Sequence, residues 1–246
     1  MMPVCDLDGA DPRTTTRAAQ LLAASVPDEA AGLVPYTLAG YHRYLAVLLG
    51  QPPALRSVLV RALIRDGMPV AVADWRVLAD TLFLNGISVA PEWRGRGWGS
   101  RLLEDGTALA RSLGLPHLAL DVAAANVAAV ALYLRSGFTV TAESSWCHVP
   151  AGDAGTADAV GRVLDWPVFC ALRSAYGFAD LSLRDRHGAV RVVRAVGDAL
   201  RLDPHLRDST VSVADLCELT GCCRAYVVGG ASATPFISFV RMTAMV

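Results

Sequence analysis

Apolar positions change period along the chain, and each change marks a boundary between element types. Leu and Ala recur at three- and four-residue spacing over 14–25 and 36–49, which predicts two helices, the second closed by Gly50 and Pro52-Pro53. Three β-rich runs follow at 57–65, 69–78 and 81–89. Asp66-Gly67 supplies a hairpin turn between the first two, and Ala79-Asp80 separates the second from the third. The pattern then predicts a helix at 97–113, a strand at 117–122, a helix at 127–136 and a strand at 138–147. Hairpin strands followed by alternating helices and strands imply an α/β (α+β) mixed sheet with helices on its faces.

Residues 150–158 are small, polar and turn-rich, which places a linker between a first domain at 1–149 and a second at 159–246. The second reads as helix, helix, two or three strands, helix and two strands, a smaller α+β domain. Its strands fall at 179–184 and 189–195, joined by an Asp-Arg-His-Gly turn, with later strands at 224–228 and 236–242 and a helix near 213–220. This order echoes the first domain. A degenerate duplicate and an unrelated accessory domain both fit it.

The composition, 53% hydrophobic and 18% charged, is that of a folded chain. A net charge of −1 gives no support to nucleic-acid binding, and no apolar run is long enough to cross a membrane. All 22 basic residues are Arg. Without Lys, Schiff-base chemistry and a Walker-type phosphate loop are excluded. The N-terminal segment lacks the basic start and apolar stretch of a secretory signal, so the six Cys are expected to be reduced and the compartment to be the cytoplasm. Neither Cys217, Cys222 and Cys223 nor the five His fall at metal-ligand or triad spacing, so no metal is expected.

The segment most informative about chemistry is Arg94-Gly95-Arg96-Gly97-Trp98-Gly99-Ser100, between a strand and an amphipathic helix. Glycines let backbone approach an anion, the helix start offers unpaired N–H groups, and the two Arg add positive charge. Together these describe a diphosphate cradle. The dinucleotide fingerprint fails, because counting from Gly95 its last glycine position is Ser100. The spacing is instead Arg-x-x-Gly-x-Gly, at Arg94, Gly97 and Gly99. Downstream, Asn126 sits at a helix N-cap position and Tyr133 two turns later, within Asn-x-x-Ala-x-x-Leu-Tyr-x-x-x-Gly-Phe ending at Phe138. These two motifs, in this order, resemble the signatures of the GNAT acyltransferase superfamily.

That resemblance covers residues 55–147 best and the last third hardly at all. It implies a sheet splayed between the strand ending at Val89 and the strand ending at Val122, with acetyl-CoA as co-substrate in the gap. Backbone groups of Ile87, Ser88 and Val89 would pair with the pantetheine arm, the 94–100 loop would hold the diphosphate, and Asn126 would bond the arm, cap its helix, or do both. Tyr133 would be the general acid, since its ordinary pKa keeps it protonated at neutral pH. Asp121 stands where a carboxylate often serves as base in relatives resembling the peptide N-terminal acetyltransferases; a solvated strand-end charge is the alternative.

The implied function is acetyl transfer to a primary amine of a small molecule, amino acid or peptide by direct attack in a ternary complex. A different acyl-CoA, or a CoA-binding sensor without catalysis, are the alternatives. Tyr36, Tyr41, His42 and Tyr44 fit an acceptor pocket or ordinary core packing equally well. The second domain could cover the acceptor cleft, form a homodimer or bind a carrier.

Overall fold

A computed structural model of the chain describes residues 2–150, 162–185, 187–204, 212–229 and 235–246. Beyond Pro150, the linker expected at 150–158 lies outside the described residues, as does His205. The chain packs as two compact units. One comprises Met1–Pro27, His42–Glu143 and Phe239–Val246; the other comprises Asp28–Tyr41 and Ser144–Ser238.

The first unit contains β1 (Val4–Asp6), α1 (Pro12–Ala23), most of α2 (Tyr41–Leu49), β2 (Val58–Arg65), β3 (Met68–Val77), β4 (Thr81–Val89), α3 (Trp98–Ser112), β5 (His117–Ala123) and α4 (Val127–Arg135). The first five residues of β6 (Thr139–Val149) and the end of β12 (Ile237–Met245) complete it. Asp11 caps α1 by accepting from the Arg13 N–H, and Pro12 follows at a position where no N–H is needed. Asp66 and Gly67 both adopt positive φ, +50° and +76°, as the tight β2–β3 hairpin requires.

Sheet order in this unit is β1-β2-β3-β4-β5-β12, antiparallel except for β4 beside β5. Strand β12 therefore lies against β5, a pairing of residues about 120 apart in sequence. On one face Trp75, Leu82, Leu84, Leu118, Leu120, Val122 and Met242 form the core with Leu102 and Leu103 of α3 and Tyr133 of α4. Two contacts fix α3 there. Gly106 lies so close to Trp75 that a Cβ would be 2.0 Å from the indole. Asp105 accepts two hydrogen bonds from Arg61 of β2, at 2.7 and 2.8 Å, and Arg61 also reaches Asp6 of β1.

In the second unit the order is β6-β11-β10-β9-β8-β7, with β7 (Arg162–Val163), β8 (Phe178–Arg184), β9 (Val190–Val196), β10 (Ala199–Leu202) and β11 (Arg224–Val228). Only β10 and β11 run parallel among these pairs. Helices α5 (Trp166–Tyr176) and α6 (Val213–Thr220) contribute Phe169 and Leu216 to a core with Leu181, Leu183, Val193 and Leu200. Where the pattern predicts two helices after the linker, the described residues form β7 and then α5 alone. The helix expected over 36–49 starts at Tyr41. Residues 35–37 form a 3-10 turn, and at Gly40 any side chain would meet the Tyr176 backbone at 2.5 Å. Among the described residues no helix is long and apolar enough to cross a membrane.

Candidate functional site

The site begins where β4 leaves β5. Parallel pairing runs from Thr81 beside His117 to Leu84 beside Leu120 and then stops, although β4 continues to Val89 and β5 to Ala123. A bulge at Asn85 marks the point: Trp75 pairs with Leu84 but Asp74 pairs with Gly86. One extra residue kinks and twists a strand, which turns β4 away from its parallel neighbour. Beyond it, Ile87, Ser88 and Val89 pair with Ala73, Val72 and Ala71 on the β3 side only. Backbone groups on the other edge therefore face a gap, where an extended amide-bearing ligand can pair with them.

The loop at the end of β4 is shaped by its own arginines. Arg94 Nε donates to the Val89 carbonyl at 3.0 Å, and Arg96 donates to the Glu92 carbonyl while lying 5.0 Å from the Trp93 ring centroid. Gly95 and Gly97 adopt φ of +72° and +78°, and nothing lies within 4 Å of where their Cβ atoms would be. Gly97 is the α3 N-cap and offers no side-chain cap, so the first-turn N–H groups of Trp98, Gly99 and Ser100 point out of the helix without intrahelical acceptors. Gly99 serves packing, with Leu132 of α4 at 3.1 Å from its would-be Cβ. Open space, outward N–H groups and a positive dipole end make a place for an anion.

Asn126 caps α4, its side-chain oxygen accepting from the Ala129 N–H at 3.1 Å. The residue is exposed, and that bond uses its oxygen alone. Tyr133 is only 5% exposed and meets Phe138 edge-on at 5.9 Å. Burial pushes its hydroxyl up to about 12, so it stays protonated throughout the neutral range. Among the described residues its oxygen has no hydrogen-bond partner.

Residues 27–138 match the family model described as the Acetyltransferase (GNAT) family. They form a GNAT acetyltransferase domain. A tandem GNAT protein from the clavulanic acid biosynthesis pathway, solved without AcCoA, aligns over 100% of this chain and 98% of its own at TM-score 0.66 and 16% identity, which shows the same fold across both halves. The ribosomal-protein-S18-alanine N-acetyltransferase of Escherichia coli aligns at 25% identity and TM-score 0.45, over 58% of this chain and 81% of its own. A GNAT family acetyltransferase from Elizabethkingia anophelis with acetyl-CoA bound aligns at 15% identity and TM-score 0.44, over 58% and 78%. No curated protein sequence matches the chain.

Within the GNAT domain, Asp121 lies one residue past the last β4–β5 pair, on the sheet face opposite the α3–α4 core. Both its oxygens accept from Arg241 of β12, one from Nε and the other from an Nη at 2.8 Å. Sequence reasoning omits Arg241, because only the β5–β12 register places it opposite Asp121. It also omits a clamp on the bulge. Asp74, fully buried, accepts from Asn85 at 3.1 Å and from Arg76 at 2.7 Å, which ties the extra residue of β4 to β3. Asp74 and Arg76 at alternate positions of an otherwise apolar strand were the available signal.

Among the described residues, the second unit does not show this geometry. Its parallel strands stay paired to the last residue of β10, Leu202 beside Val227. Residues 203–212, between β10 and α6, include no glycine, whereas 91–100 contain three.

Proposed function

We propose that the chain is an N-acetyltransferase that moves the acetyl group of acetyl-CoA to a primary amine, at one donor site per chain in the GNAT domain. The observation that carries this reading is the splay itself: four residue pairs of parallel β4–β5, a clamped bulge, and a β4 edge that pairs with no strand beyond Leu84 and leads into an uncapped helix start. The residues present fit acetyl-CoA. The β4 edge at Ile87–Val89 suits the pantetheine amides, Gly95, Gly97 and the α3 N–H groups suit the diphosphate, and Asn126 has a donor to spare for the arm. Arg94, Arg96, Trp98 and Ser100 complete the loop. Acetyl-CoA supplies an acyl group already activated as a thioester.

The protein contributes position and protons. A backbone N–H of β4 at the gap polarises the acyl carbonyl. Asp121 takes the proton the amine loses as its C–N bond forms, and the thiolate released as the C–S bond breaks, hydrogen-bonded by Tyr133, takes up a proton from solvent. With its hydroxyl near 12, Tyr133 is a weak acid toward a thiolate and acts mainly by hydrogen bonding to the departing sulfur. Residues 1–149 and 159–246 are two GNAT-like repeats, of which the second has lost its donor site. The expected compartment is the cytoplasm.

Isothermal titration of the full chain with acetyl-CoA tests the donor site. One binding event per chain is expected, and absence of binding, or two equal sites, would overturn the assignment.

A further inference from the structure

The acyl-transfer reading leaves the acceptor open, and the Asp121–Arg241 pair narrows it. The two residues face each other across β5 and β12, with Asp121 just past the point where the donor gap opens. Both side chains are partly solvent-exposed, 46% for Arg241 and 35% for Asp121. Arg241 is held from a second direction, its guanidinium lying 5.2 Å from the centroid of the Phe83 ring on β4. Asp121 uses Nε and one Nη of that guanidinium. The other Nη has no acceptor among the described residues.

A planar guanidinium carries five N–H donors, so one carboxylate does not saturate it. The result is a fixed cation with donors to spare, over the last paired residues of β4, beside an anion one residue past the last β4–β5 pair. That charge order is complementary to a molecule carrying an ammonium or amine next to a carboxylate. We propose that the acceptor is a carboxylate-bearing primary amine of the α-amino acid type, its carboxylate bound by the outer edge of Arg241 and its amine set beside Asp121. Arg241 thus selects the acceptor, and Phe83 holds the guanidinium in place for it. The inference rests on the acyl-transfer reading of the same site.

The test compares amine-dependent thiol release from acetyl-CoA for α-amino acids, their carboxamides and the corresponding decarboxylated amines, each with the same side chain. In the wild type, kcat/KM for the amino acid is expected to exceed that of its carboxamide by about tenfold or more, the scale of a charge-assisted bidentate contact. Arg241→Gln should collapse that ratio, and Arg241→Lys, which keeps charge but loses the fork, should leave part of it. Phe83→Leu leaves the β5–β12 pairing intact and should lower the ratio in the same direction, which covers the case in which Arg241→Gln fails to fold. Equal kcat/KM for acid and amide in the wild type, or a ratio unchanged in both Arg241→Gln and Phe83→Leu, would overturn the proposal and leave acyl transfer standing. Thiol release with no amine of any class, despite bound acetyl-CoA, would overturn the acyl-transfer reading and this inference with it.

Discussion

Replacing Gly97 with Ala separates the conformational role of a glycine from its role at a ligand. Gly97 has φ of +78° and nothing within 4 Å of its would-be Cβ, so the added methyl meets no protein atom. The cost to folding is that of a left-handed non-glycine residue, about 1–2 kcal/mol, less a few tenths regained from a stiffer unfolded chain. Gly114, at the other end of α3, is a matched control with φ of +69° and equally empty surroundings. The two variants should therefore lose similar stability in denaturant. They should differ in CoA binding. At Gly97 the methyl occupies the space in front of the α3 N–H groups, and losing one or two charge-assisted hydrogen bonds there costs about 2–4 kcal/mol. At about 1.4 kcal/mol per factor of ten, that lowers affinity by at least tenfold and up to several-hundredfold. Isothermal titration with CoA reads the difference, with Gly114→Ala binding like wild type. Equal affinity in the two variants would refute a diphosphate at the 94–100 loop.

Tyr133→Phe keeps the edge-on packing against Phe138 and removes only the hydroxyl, so kcat should fall about a hundredfold while CoA affinity barely changes; unchanged kcat makes Tyr133 a packing residue. Stability should also decline in alkali. The hydroxyls of Tyr133 and Tyr226 are both pushed up by burial from 10.0 to about 12, so the folded state holds their protons where the unfolded chain releases them. Their stabilisation is whole below pH 10 and is lost as pH rises from 10 to about 12, up to about 3 kcal/mol each. A denaturant midpoint that stays flat across that window would contradict the burial of both. Gly106→Ala places a Cβ 2.0 Å from the fully buried Trp75, an overpacking cost of about 1–3 kcal/mol against about 1 kcal/mol gained in helix propensity. Net destabilisation with weaker CoA binding is expected, since α3 carries the loop; a variant as stable as wild type would show that α3 does not dock on Trp75.

Local rules made the donor side legible. Asn126 reads as an N-cap from its place before an apolar run, and the structure shows it capping. Asp66-Gly67 reads as a hairpin turn because both residues tolerate positive φ, and both adopt it. The strands from 57 to 89 show as β-rich runs separated by turn residues, and their observed bounds differ by a residue at most. What escaped depends on contacts between distant residues. The strand near 236–242 is visible as a strand, but nothing local says that it pairs with β5, so Arg241 could not be set beside Asp121. The bulge at Asn85 is a difference in residue count between two strands, which appears only once their register is known. Strand β1 has only three residues, too few to show a period. The start of α2 is set by the Tyr176 backbone against Gly40, and no helix signal encodes that collision.

The central claim is that the splayed β4–β5 gap holds acetyl-CoA for transfer to an amine, and amine-dependent thiol release tests it most directly. The account predicts release by the full chain that requires an amine, is slowed by Tyr133→Phe and needs at least tenfold more acetyl-CoA in Gly97→Ala. Tight acetyl-CoA binding without release on any amine would contradict it and identify a CoA-binding protein that does no acyl transfer.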